Sequence, residues 1–299
     1  MAASVAQLRR GLAWMLGAMA ALVAMNACAK VLREDGFSTA ELIFYRTTPG
    51  LLWIWLELRR RQLSLRPVRG DLVALRSLFG IAAMAATFYA VRALTLVQHQ
   101  TLHLLQPVFV ALFAPLVLRE RMHRLVLLAL VFAASGAFFV LAPLGDLSAL
   151  PPMPALAGVA AAVFSALAHV TIRKTSETEA PELVVFHFAS LAAIAGLVWG
   201  LAHGDFQPGH LTRKNLALIG STAMFGTCGQ LWMTRAYGLA PASSIAMVAY
   251  AAIPLGLGVD ILFWNAHAPA SALVGAALLV VAGYLLTRRP TGASQPGRP

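Results

Sequence analysis

Charge is what this chain has least of. Aspartate and glutamate number only 12 in 299 residues, against 23 lysines and arginines, and charged residues make up 12% of the whole. Ordinary soluble domains carry about twice that fraction, roughly 25%, so the composition excludes a soluble globular protein of usual make-up. Cysteine is nearly missing as well. Cys28 and Cys228 both fall in apolar segments, at a spacing that suits neither a metal site nor a disulfide framework. A cleavable leader is not expected, because the apolar run that follows Arg9 and Arg10 extends from Gly11 to Leu32, too long for a signal-peptide core. The net charge of +11 raises nucleic acid as a partner, but a binder of that kind needs a contiguous basic face. Here the cations sit in short clusters between apolar runs, as membrane proteins mark their cytoplasmic side.

What the chain has in abundance is apolar sequence, at 59% hydrophobic residues and a mean hydropathy of +0.74. About 20 apolar residues cross a bilayer core as a helix. Ten such spans are expected, at 11–32, 38–58, 71–94, 97–118, 123–142, 153–174, 181–202, 214–238, 242–264 and 269–287. With the N-terminus inside, seventeen lysines and arginines, Arg76 among them, fall on the inner side and five on the outer, with Arg46 left inside the second span. The asymmetry places both termini in the cytoplasm of a multi-pass inner (plasma) membrane protein. The last ten residues, PTGASQPGRP, are expected to be disordered.

A repeat of about half the chain is visible. Glu41-Leu-Ile-Phe-Tyr-Arg46 lines up with Glu182-Leu-Val-Val-Phe-His187, Pro107 with Pro254, Gly136 with Gly283, Pro143 with Pro290, Arg92 with Arg235 and Asn26 with His169. Five helices followed by five related ones enter the membrane from opposite sides, because five is odd. The expected fold is all-α and polytopic, with ten transmembrane helices as a five-plus-five inverted repeat. Its halves are 1–148 and 149–289, followed by the tail at 290–299.

The run FYAVRALTLVQHQTLHLLQPVFVALFAPLVLRERM resembles the fourth-helix signature of the EamA branch of the drug/metabolite transporter superfamily. NACAKVLREDGFSTAELIFYRTTPGLL looks like that family's first two spans, and TRAYGLAPASSIAMVAYAAIPL with GAALLVVAGYLL like its second repeat. The pattern is most similar to permeases for S-adenosylmethionine-like uptake. It departs from them at Leu96-Val97-Gln98-His99-Gln100, where those permeases commonly have Leu-Ala-Asp-Ala-Thr. The resemblance implies a permease with a cavity lined by spans 1, 3, 4, 6, 8 and 9.

Polar residues within apolar spans are costly unless they face protein or water, so they mark candidate pathways. His99, His103 and Gln106 share a helix face at i, i+4 and i+7. The pair His99 and His103 has the spacing of a zinc-protease helix, yet Gln100 stands where the general base would have to be. Neither a metal nor any other cofactor is expected. Tyr250 occupies the repeat position of His103, and Trp232 that of Tyr89, each of the latter pair one turn from an arginine. Such aromatics suit stacking on a flat or cationic ligand, or anchoring at the bilayer interface. Asp260, near the outer end of the ninth span, reads as a solvated helix end. Pro107 and Pro254, near mid-span in both halves, are expected hinges.

The substrate-binding set expected from these patterns is Asn26, Arg46, Tyr89, His103, Gln106, His169, Trp232 and Tyr250. The function expected is secondary transport, by alternating access, of a small organic metabolite that is amino-acid-like, carboxylate-bearing or aromatic. A lipid flippase or scramblase of the same architecture is the alternative, and a membrane-embedded metal-dependent hydrolase is a remoter one. No enzymatic activity is expected. Partners are the solute and the lipid bilayer, with a second copy of the chain allowed for and nucleic acid excluded.

Overall fold

The computed structural model describes residues 4–90, 93–94, 96–120, 124–141, 151–265, 267 and 270–287. Arg92, Pro143, Pro290, the junction near 148 and the tail at 290–299 lie outside the described residues. Those described form twelve α-helices and two short 3-10 segments, with no strand among them. In chain order the helices are α1 (Val5–Glu34), α2 (Thr39–Arg60), α3 (Gly70–Ala90), α4 (Leu96–His103), α5 (Leu105–Leu118), α6 (Arg124–Leu141), α7 (Pro152–Thr175), α8 (Pro181–His203), α9 (Arg213–Leu239), α10 (Ala242–Met247), α11 (Ala252–Trp264) and α12 (Ser271–Thr287). Among the described residues, six stretches are long and apolar enough to cross a membrane, at 5–34, 70–87, 101–118, 152–175, 181–203 and 242–264, and α6 adds a shorter apolar helix.

Helix starts follow local chemistry. Ser4 and Ser38 each build a capping box, with Gln7 and Glu41 as the reciprocal partners, which satisfies the free amides of the first turns of α1 and α2. Two expected spans are not continuous. The run 97–118 breaks at Leu104 between α4 and α5, and 242–264 passes through a 3-10 segment, Val248–Ala251, between α10 and α11. Each interruption lies just before a proline, Pro107 or Pro254, whose missing N–H leaves the carbonyl four residues earlier without its helical donor. Tyr250, buried in the second interruption, donates its hydroxyl to the Leu104 carbonyl in the first at 2.7 Å. The two breaks are thus tied together.

Hydrophobicity is arranged inside out. Large apolar side chains such as Leu52, Leu116, Val131, Val198 and Leu262 are exposed, while alanine and glycine crowd the helix contacts. In a bilayer, lipid is as apolar as leucine, so helices associate through small residues that allow close approach. The α6–α12 seam shows it: a Cβ on Gly136 would sit 2.7 Å from the Gly275 carbonyl oxygen. The most extensive helix pairings are α1 with α9, α3 with α7, α6 with α12 and α2 with α8.

Polar contacts between elements collect at two ends of the bundle. At one end Arg173 pairs with Glu120 at 3.0 Å, Glu182 with Arg235 at 2.7 Å, and Glu179 accepts from the Arg69 amide. At the other, Lys30 pairs with Asp260 at 2.9 Å, Lys214 with Asp35, and the fully buried Glu41 accepts from the Gln207 amide and contacts His210. Asp260 is therefore an ion-paired helix end rather than merely a solvated one.

Candidate functional site

Between those ends, buried polar groups gather where α3, α5, α7, α8 and α9 meet. Gln106 on α5 is 2% exposed, and its amide nitrogen lies 2.6 Å from Nδ1 of His169 on α7. With the amide nitrogen as donor, Nδ1 accepts and the imidazole proton sits on Nε2. The His169 ring stacks on Tyr237 of α9, with centroids 5.2 Å apart and planes 25° apart. The Tyr237 hydroxyl lies beside Gln106 but completes no well-formed hydrogen bond there. Arg76 of α3 and His103 are both within electrostatic reach of His169.

Arg76 itself is 3% exposed. Its Nη2 donates to Gln230 Oε1 at 3.1 Å, and its guanidinium carbon lies 3.7 Å from the centroid of the Phe188 ring. Gln230 and Phe188 also line a pocket with Arg46, Thr47, Val185, Ala189 and Thr227. Arg46 and Arg76 therefore approach one shared wall from different helices.

The structure brings together some of the residues singled out by sequence and leaves others apart. Gln106, His169 and His103 fall in the central cluster. Arg46 lines the pocket beside it. Tyr250 is buried but serves the Leu104 carbonyl rather than the pocket. Trp232 packs in the α1–α9 seam, 6.0 Å from the Trp14 ring and against Gly17. Asn26 is exposed on α1, and Tyr89 is 48% exposed near the end of α3. His99 is buried, its ring 5.9 Å from that of His103. Sequence reading missed Arg76, Gln230, Phe188 and Tyr237. Arg76 had been assigned to the inner surface because the third span begins only a few residues before it. Instead it is buried inside the bundle.

The chemistry available is hydrogen bonding, ring stacking and fixed positive charge. Among the described residues no group of three or more His, Cys, Asp or Glu is placed to hold a metal ion.

The fold is a multi-helix bundle with apolar spans and a polar interior, and comparison with known proteins places it among membrane transporters for small molecules. The EamA-like transporter family matches residues 9–142. The pseudopaline exporter CntI of Pseudomonas aeruginosa is 30% identical over 270 residues, covering 90% of this chain and 92% of that protein. An uncharacterized transporter of Helicobacter pylori is 28% identical over 268 residues, 88% of this chain and 89% of that protein. A solved crystal structure superposes with a TM-score of 0.77 over 95% of this chain and 98% of that one, at 18% identity, so the fold is shared. The chain belongs to the EamA-like transporters of the drug/metabolite transporter superfamily.

Proposed function

We propose that the protein is a secondary transporter that carries a small organic metabolite across the inner membrane by alternating access between two inverted five-helix halves, 1–148 and 149–289. With α4 and α5 counted as one interrupted crossing, and α10 and α11 as another, the chain makes ten crossings. Exchanging each crossing with the one five later turns the α1–α9 pairing into α7–α3, while α2–α8 and α6–α12 map onto themselves. The same exchange carries Lys30 on α1 to Arg173 on α7, and each of these cations pairs with an acid on or just after an interrupted crossing, Asp260 and Glu120, at opposite ends of the bundle. These correspondences support the inverted repeat.

The observation that carries the reading is the buried polar cluster drawn from both halves. Arg76 and Gln106 come from the first, His169, Gln230 and Tyr237 from the second. Polar groups at this depth mark a solute path. The pseudopaline exporter relative supports export of a small metabolite as the direction to test first.

Purified protein in liposomes, loaded from either side with a panel that includes pseudopaline, amino acids and S-adenosylmethionine, tests this. Flux of at least one solute is expected, falling about tenfold or more, equivalent to roughly 1.4 kcal/mol, in Gln106→Ala and in His169→Ala. Wild-type flux in both variants would overturn the site.

A further inference from the structure

We propose that Arg76, with Gln230 and Arg46, forms a binding pole for the carboxylate of an organic anion. This deepens the transport reading above and rests on it for the pole's role in the cycle.

The argument begins with an unbalanced charge. A guanidinium stays protonated under any condition a protein survives and offers five N–H donors. Arg76 is 3% exposed, yet Gln230 meets only Nη2, leaving Nε and Nη1 without a hydrogen-bond partner. Gln230 is neutral, so it solvates the cation without balancing it. No carboxylate lies within ion-pair range of Arg76 among the described residues, because the acids that form ion pairs do so elsewhere. Glu120, Glu182 and Asp71 are engaged at one end of the bundle, and Asp35, Glu41 and Asp260 at the other. A buried cation with vacant donors is expensive to keep unless an anion arrives to use them.

The surroundings are shaped for such an arrival. The Phe188 ring lies under the guanidinium, 3.7 Å from its central carbon, and Nε and Nη1 stay buried without hydrogen-bond partners. Gly80 supplies the room: a Cβ there would come within 2.8 Å of Arg76 Nη1 and 2.7 Å of Phe188 Cε2. Arg46 lines the adjoining pocket together with the same Phe188 and Gln230 and with Thr47 and Thr227. Planar N–H donors next to neutral amide and hydroxyl groups match a carboxylate, whose two oxygens accept in one plane. Arg76 stands behind this wall, joined to it through Gln230 and Phe188, while Arg46 lines the pocket itself.

Thermal unfolding of the full-length protein in detergent provides the test, with succinate, glutamate and citrate as probes against inorganic phosphate and chloride at matched ionic strength. At least one carboxylate should raise Tm in a saturable way, since a ligand that prefers the folded state stabilises it. In Arg76→Gln the apparent Kd should weaken about tenfold or more while Tm without ligand rises, because an uncompensated buried charge has gone. Arg76→Lys should bind between the two, keeping charge but losing the planar fork. Gly80→Ala should weaken binding with Arg76 intact. A purely structural arginine predicts the opposite sign, a lower Tm in Arg76→Gln, and with unchanged carboxylate binding that result overturns the proposal. Stabilisation by phosphate alone overturns the ligand class. Carboxylate binding without flux in liposomes would sink the transport reading and leave the pole standing. Flux of a solute that carboxylates neither bind alongside nor inhibit would do the reverse.

Discussion

Gln106 and His169 show at the scale of single residues why this interior is specific. Each satisfies the other at 2.6 Å, with Gln106 2% exposed and His169 part-buried, so removing one leaves a polar group of the interior unmet. Gln106→Leu should lower stability by about 1–3 kcal/mol, whereas Gln106→Leu with His169→Leu should recover much of that loss. Thermal melts of the two single variants and the double variant check it, and additive losses would show that the pair is not coupled. Both residues were legible in the sequence, since an amide and an imidazole inside apolar spans stand out and the repeat pointed to His169. Arg76 was not, although its burial is the more consequential. A cation a few residues into a span reads as a surface residue unless the packing partner is known, and its hydrogen-bond partner Gln230 is 154 residues away. The small residue one turn on, Gly80, was the available signal: an arginine beside a glycine on an otherwise apolar helix has space to fold inward.

Helices α2 and α9 carry the next lesson. Both are long, 22 and 27 residues, yet neither reaches the hydropathy of the six clear membrane stretches. They are the elements that bring Arg46, Thr47, Thr227 and Gln230 to the pocket wall, so polarity was spent on the interior. Sequence reading placed both, because their lengths and bounding turns survive that dilution. It also placed the prolines near mid-span but not the form of the interruption, which depends on Tyr250 reaching the Leu104 carbonyl across the bundle. Tyr250→Phe frees that carbonyl and should cost about 1 kcal/mol of stability. Pro254→Ala restores a helical donor to the 3-10 segment and should raise Tm while slowing flux, if the interruption is the moving part. A faster transporter with a higher Tm would show that the break is not a hinge.

Across the whole molecule, the ion pairs between elements divide between two ends of the bundle. The ion pairs that the corresponding cations Lys30 and Arg173 make are unequal. Lys30 and Asp260 are 40% and 46% exposed at their side chains, whereas Arg173 and Glu120 are 21% and 17% exposed. Arg173 also donates to the Tyr237 and Gly238 carbonyls, and Glu120 accepts from the Ala242 amide at the start of α10. An exposed pair contributes about 0.2–1 kcal/mol, so the Lys30 end should yield first. Lys30→Gln should leave Tm nearly unchanged yet speed maleimide labelling of Cys28, half-buried two residues away on the same helix. Arg173→Gln should lower Tm without that effect. Equal labelling of Cys28 in wild type and both variants would count against unequal gates. The family and the helical architecture were legible from apolar runs and motifs, but this inequality was not, since it arises from contacts between residues far apart in the chain.

The pairing of helices from opposite halves also has a consequence for how the protein is made. α1, α2, α3 and α6 each find their most extensive contacts on helices of the other half. Gln230 is synthesised 154 residues after Arg76, a delay of about 8–30 s at translation rates of roughly 5–20 residues per second. Until those helices emerge in turn, the guanidinium and the faces that will meet α7, α8, α9 and α12 lack the partners they have in the finished bundle. The first six helices, α1 to α6, are therefore a client of the insertion machinery until the last are threaded, and the charge that would serve the finished transporter is a liability to the unfinished chain.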